Sequence, residues 1–236
     1  EPAQMPHIAP VGSFMSSVEL DFEPRKAGAA ANLTLAFKLT NTIGVGEFVA
    51  LLLPRFEGEQ FSNVSTSSHV EDAGFVDVDP AYCFLAHWVP SESRLRLETR
   101  CEIRAEASVN VVVPATAGLR IAVLGFRAGA TDVKISTNAA QGPVPDTTVL
   151  SVPVIGSFSK TSISFPSGRA GMRTGIQLLL QPEMLIQPEE MVIVKLSDFS
   201  GDSGALDIPR PFSTATWSRE TETLTIVVAS EIKPRS

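Results

Sequence analysis

LDFEPRKAGAAANLTLAFKLTNTIGVGEFVALLLPRFEG, residues 20–58, aligns without a gap on ISFPSGRAGMRTGIQLLLQPEMLIQPEEMVIVKLSDFSG, residues 163–201, at a constant offset of 143. Across these 39 positions ten residues are identical: Phe22/Phe165, Ala27/Ala170, Gly28/Gly171, Leu35/Leu178, Ile43/Ile186, Glu47/Glu190, Val49/Val192, Leu53/Leu196, Phe56/Phe199 and Gly58/Gly201. Most are apolar residues or glycine, so what repeats is a core and its turns. Self-similarity at domain length points to tandem copies of one module.

The repetition extends on both sides. Gly12-Ser13-Phe14 precedes Leu20 as Gly156-Ser157-Phe158 precedes Ile163, with a one-residue slip. Downstream, Trp88 stands seven residues before Leu95 and Trp217 seven before Leu224, and the offset there has fallen to 129. Module 1 therefore holds about 14 extra residues between Phe56 and Trp88, and Cys83 and the run Asp72 to Asp79 fall in or near them. Module 1 continues through Val111-Val112-Val113, Leu119 to Phe126 and Val149 to Ile155, whereas Ser236 aligns near Ala107. We divide the chain into an N-terminal tail or donor segment (1–16), a first module (17–153) and a shorter second module (154–236) that lacks the final strands of the first.

The alternation within each module is that of strands. Val18, Leu20 and Phe22 alternate with polar residues, as do Leu33, Leu35, Phe37 and Leu39, then Leu95 and Leu97, then Leu224 and Ile226. Period two places one apolar face over a core, and helical periodicity is nearly absent. The more uniformly apolar blocks, Phe48 to Leu53, Val109 to Val113 and Met191 to Val194, read as covered central strands. Turn residues punctuate these segments: Ala27-Gly28 and Ala170-Gly171, then Gly44-Val45-Gly46 and Gln187-Pro188-Glu189. Short strands with regular turns and no βαβ rhythm predict an all-β fold of two tandem antiparallel sandwiches. Val144 to Val154, with Pro143, Pro145 and Pro153, reads as a last strand followed by a stiff linker.

A sandwich that stops after about five strands exposes unpaired backbone, which invites pairing with another chain. Two expectations follow for module 2. Either Ser236 is where a longer array has been cut, or a neighbouring molecule completes the sandwich in trans, with Glu1 to Phe14 as the candidate donor.

The composition bounds the function. A net charge of −7 argues against phosphate-backbone binding, which needs clustered Lys and Arg. The longest apolar run, Phe48 to Leu53, is far below the ~20 residues of a membrane helix, so no membrane insertion is expected. The chain opens at Glu1 rather than Met, which reads as a processed chain or an internal fragment, with a simple piece boundary as the alternative. Cys83 and Cys101 flank a predicted hairpin and suit a disulfide, with two buried free thiols as the other reading. Sequons stand at Asn32-Leu33-Thr34 and Asn63-Val64-Ser65, the second in a polar stretch. Cysteines, sequons and the missing Met together point to a secreted or cell-surface protein.

Chemistry finds little footing. His7 lies in the tail, His69 follows a Ser-rich loop, and His87 sits beside Trp88 on a predicted strand. None falls in a nucleophile elbow or a comparable setting, so no catalytic residue and no enzyme activity are expected. Zinc-ligand spacing is absent. Asp198, Asp202 and Asp207 cluster around Gly201 and Gly204, and Asp72, Asp77 and Asp79 in the insertion; both are calcium candidates weighed against solvated acidic loops. No cofactor is otherwise expected. Trp88 and Trp217, at one fixed distance from the next strand, read as core anchors rather than ligand-stacking residues.

The pattern Ala27-Gly28, alternating Leu33 to Leu39, acidic Glu47, apolar strand to Leu53, then Pro54-Arg55-Phe56 resembles the sandwich repeats of large algal and protist cell-surface or extracellular filament proteins. Module 2 departs from it at Ser197-Asp198-Phe199, where the proline is lost. The resemblance implies immunoglobulin-like topology and a place in a surface or filament assembly; it transfers no functional residue. The expected function is a structural building block of an extracellular fibre, coat or adhesion stalk, partnered by copies of itself or other subunits. The alternative is a glycan- or protein-binding module using loops at one end of a sandwich.

Overall fold

The computed structural model describes residues 12–15, 18–71, 80–127, 129–166 and 169–234. Among them the fold is all-β: strands and three short 3-10 turns, with no α-helix. The chain divides into two compact units, Glu1–Gly156 and Ser157–Ser236.

The first unit has two sheets. One runs β1 (Glu19–Glu23), β2 (Asn32–Phe37), β8 (Val109–Val113), β5 (Ser67–Val70); the other runs β10 (Val144–Thr148), β9 (Lys134–Thr137), β3 (Phe48–Leu52), β7 (Arg94–Thr99), β6 (Phe84–Val89), β4 (Phe61–Ser65). Every ladder between these strands is antiparallel. The alternation turns Leu20, Phe22, Leu33, Leu35, Phe37, Val109, Val111 and Val113 of one sheet, and Val49, Leu51, Ala86, Trp88, Leu95, Leu97 and Ile135 of the other, into one buried cluster. Each large side chain so buried contributes about 1.5–3 kcal/mol, which is the driving force for the two-layer arrangement. Phe22, Phe56 and Phe126 form a ring trio within that core, with centroids 5.7 to 5.9 Å apart.

In the second unit β11 (Phe158–Ser164) pairs with β12 (Gln177–Pro182), and a four-stranded sheet runs β13 (Met191–Lys195), β16 (Thr223–Val228), β15 (Phe212–Ser218), β14 (Gly204–Leu206). Its core gathers Ile186, Val192, Leu196, Trp217, Leu224, Ile226 and Val228, with Ile176, Leu178, Leu180 and Phe199 packed on it.

The sequence repeat is reproduced in backbone geometry. Leu20 faces Leu35 across β1–β2 as Ile163 faces Leu178 across β11–β12. Val49 faces Leu97 as Val192 faces Ile226, and Trp88 faces Leu95 as Trp217 faces Leu224. Outside the strands, Ile43 bridges Ile103 as Ile186 bridges Ile232. Positive φ falls at matched positions: Gly28 and Gly171 (72° and 73°), Gly46 and Glu189 (82° and 70°), Arg55 and Asp198 (65° and 67°), Ser93 and Glu222 (51° each). The repeated Phe pairs also coincide, Phe22–Phe56 at 5.7 Å and Phe165–Phe199 at 5.4 Å.

Two boundaries differ from those expected of the sequence, and the place of the extra residues within Phe56 to Trp88 is narrowed. Ser13–Met15 is not a free tail: Phe14 bridges Leu39, Thr40 N–H donates to Ser13 O at 3.0 Å, and Phe14 packs edge-on against Phe37 at 6.1 Å. The second unit does the same with Ser157 and Phe158 one slip along, through Glu183 N–H to Ser157 O and the Phe158–Pro182 pair. The stretch after β10 is not a linker, because Ser151 bridges Glu19, and Ile155 exchanges backbone bonds with Phe126, so the division falls at Gly156/Ser157. The extra residues of the first unit lie after Phe61, which occupies the place of Gly204 opposite the tryptophan, and they include β5, a strand the polar run Ser67-Ser68-His69 did not announce.

Candidate functional site: the open edges of the second unit

The residues singled out for chemistry are not brought together. His87 on β6 receives the Asn63 N–H on Nδ1 at 3.4 Å, and its Nε2 makes no hydrogen bond and stands 3.4 Å from Glu98 Oε2. The nearby sulfur of Cys83 is bonded to Cys101, so it offers no thiolate. His69 is an exposed residue of β5 opposite Asn110, and His7 lies outside the described residues. Among the described residues no three His, Cys, Asp or Glu side chains converge on a point that could hold a metal ion. Asp198, at its positive φ, takes the turn position that Arg55 holds in the first unit, and the chain between Asp202 and Asp207 forms β14. Asp72, Asp77 and Asp79 lie outside the described residues.

The other predicted positions have structural explanations. Cys83 immediately precedes β6 and Cys101 follows β7, their Cα atoms 5.2 Å apart, so the disulfide closes the open end of that hairpin. Trp88 is fully buried and donates from Nε1 to Gly58 O at 3.3 Å; Trp217 stands over Gly201, the equivalent glycine. Both tryptophans are core anchors. Asn32 Oδ1 accepts from Ala115 N–H at 2.8 Å, while Asn63 is exposed on a bulge of β4.

One repeated identity has a role that alternation could not reveal. Glu47 Oε2 accepts the Gly44 N–H at 2.7 Å, and Glu190 Oε2 accepts the Gln187 N–H at 2.8 Å, closing the same turn in both units. Glu47 Oε1 also accepts the Ala140 N–H at 2.8 Å, from the loop that follows β9. Glu190 Oε1 has no partner among the described residues.

That difference belongs to a larger one. In the first unit β8 covers the outer edge of β2 and β9 covers the outer edge of β3. In the second, among the described residues, β12 pairs only with β11 and β13 only with β16, leaving those two edges open. Unpaired N–H and C=O rows are templates for strand addition. Apolar side chains of the second unit are also less covered than their counterparts in the first. Phe165 is 37% exposed where Phe22 is 2%, and Ile163 is 42% exposed where Leu20 is 2%. Leu178 and Ile176 are only partly buried, whereas Leu35 and Leu33 are fully buried. The edges can hydrogen-bond an extended peptide and bury its alternate side chains. Comparison of the chain with protein-family models, with curated proteins and with solved structures gives no match in any of the three.

Proposed function

We propose that this chain is a non-catalytic structural piece of an extracellular or cell-surface assembly, such as a fibre, coat or adhesion stalk, built from immunoglobulin-like sandwich modules repeated along one polypeptide. The observation that carries this reading is the duplication itself. Matched registers and matched left-handed turn positions preserve scaffold, and the one repeated carboxylate, Glu47 and Glu190, closes the same turn in both units. Selection for a scaffold conserves packing and turns; selection for chemistry would conserve a site. The Cys83–Cys101 bond supports an oxidising compartment, where such bonds persist. Its partners are copies of itself or other subunits of the assembly.

Antibodies raised against the purified chain test the reading. They should label unpermeabilised cells or their extracellular matrix, and the protein recovered from that fraction should carry the disulfide oxidised. Recovery as a reduced, soluble intracellular protein would overturn it.

A further inference from the structure

Taking from the proposed function only that one module repeats along the polypeptide, we propose that the outer edges of β12 and β13 are acceptor sites for two strands patterned like β8 and β9 and carried by the same polypeptide beyond Ile232. The first unit supplies the template. On β2, Leu33 faces Val113, Leu35 faces Val111 and Phe37 faces Val109. Ile176, Leu178 and Leu180 occupy those three places in the second unit, where they are only partly buried. On β3, Val49 faces Thr137 and Leu51 faces Ile135. Val192 and Val194 of β13 occupy those places. The first acceptor therefore selects a strand with apolar residues at every second position, entering antiparallel, because only that pattern buries its side chains against Leu178 while leaving polar residues outward.

The second acceptor carries a polar marker. The carboxylate of Glu190 holds the Gln187 N–H with one oxygen and keeps the other free, at the place where Glu47 receives the Ala140 N–H just past β9. A backbone N–H arriving after the strand added to β13 fits that oxygen. A carboxylate retained at this position is explained by both bonds, whereas the turn bond alone requires only one acceptor.

The source of the strands follows from the chain path. Ile186 and Ile232 exchange backbone bonds at 3.0 and 2.9 Å as Ile43 and Ile103 do at 2.9 and 3.0 Å. In the first unit the chain leaves Ile103 and enters β8 at Val109. At Ile232 the second unit has set its chain on the same course, toward the edge of β12. In a second copy the strands that match the template are not free. Its β8 and β9 are already paired, and residues 1–11 carry Pro2, Pro6 and Pro10, which cannot donate to a ladder.

Hydrogen exchange on the full chain tests the proposal. It is compared with an extended form in which residues 108–153 of the first unit are joined directly after Ser236, the position their alignment gives them. In the chain as it stands, the outward-facing amides of 176–180 and 191–195, those not bonded to β11 or β16, should exchange quickly at every concentration. In the extended form they should slow by about 10- to 100-fold, because opening then requires breaking a two-sided ladder, and the molecule should remain monomeric in sedimentation. Lysine in place of the three inward valines of the appended strand should abolish the protection on β12, and Glu190→Gln should weaken it on β13 alone. The proposal is overturned if the unextended monomer already protects both edges, if protection appears only as concentration rises, which makes a second copy the occupant, or if the extended form gains none. Exchange is independent of cellular location, so its failure and the failure of the surface-assembly reading are separate results.

Discussion

Arg94 on β7 donates two hydrogen bonds to Asp146 on β10, at 3.1 and 2.7 Å, reaching across the two strands β3 and β9. The pair ties the edge of the larger sheet of the first unit to its middle. Hydrogen bonding from Arg94 holds the Asp146 carboxyl below the usual carboxylate range, against an opposing desolvation effect. Asp21 is lowered in the same way, chiefly by its hydrogen bond from Arg25.

A carboxyl whose folded pKa is depressed stabilises the fold above its unfolded value, about 3.9, and loses that contribution as pH falls through the folded value. The Asp146 side chain is 32% exposed, so solvent screening keeps the pair to about 1 kcal/mol or less. Asp146→Asn should therefore lower the urea midpoint of the first unit at pH 7, and the gap from the parent should close as pH falls below about 4 and through the depressed folded value. A gap that stayed constant with pH would show that the mutation acts through packing rather than charge.

Glu189 occupies a left-handed turn position with φ 70°, where the first unit has Gly46 at φ 82°. A side chain there costs about 1 kcal/mol relative to glycine. A Cβ added at Gly46 meets nothing within 4 Å, so the cost at this turn is conformational rather than steric. Glu189→Gly should stabilise the second unit by about 0.5–1 kcal/mol, and Gly46→Glu should destabilise the first by a similar amount. Equal and opposite shifts in denaturation midpoint check this; shifts of one sign in both would refute the equivalence of the two turns.

Period-two alternation made β2, β7 and β16 legible in sequence, because Leu33, Leu95 and Leu224 each begin a run whose one face must be buried, and the uniformly apolar block Phe48 to Leu53 made β3 legible as a covered strand. The disulfide was legible from the hairpin between its cysteines, although spacing alone left free thiols open. The role of Glu47 was not, since one of its partners, Ala140, arrives from 93 residues away. Nor was β5, which buries only Val70 and is held by pairing with β8 rather than by an apolar pattern of its own. The open edges were half legible: the alignment showed that strands were lacking, but only the pairing showed that β12 and β13 are the ones left uncovered.

Asn63 sits on β4 at φ 58°, exposed, where the register with β6 slips between Phe61 and Val64. A bulge turns its residue out of the ladder, which gives a glycan room without disturbing pairing. Expressed through a secretory pathway, the chain should gain a mass that glycosidase removes and that Asn63→Gln abolishes. An unmodified Asn63 would count against an extracellular role for this protein.

Cys83 and Cys101 are 18 residues apart in sequence, and closing a loop of that size restricts the unfolded chain by about 3 kcal/mol. The two tryptophans lie one in each unit, Trp88 in the core of the first and Trp217 in that of the second. Single-tryptophan variants, Trp217→Phe to report the first unit and Trp88→Phe the second, separate the two unfolding transitions, which a single midpoint would merge. Replacing both cysteines by alanine should lower the first unit's transition by roughly that 3 kcal/mol and leave the second's in place, since no cysteine lies in residues 157–236. Reductant should reproduce the effect in the parent chain and do nothing further to the variant. A matching loss in the second unit would mean that its stability depends on the first, and that the modules do not fold as independent bodies.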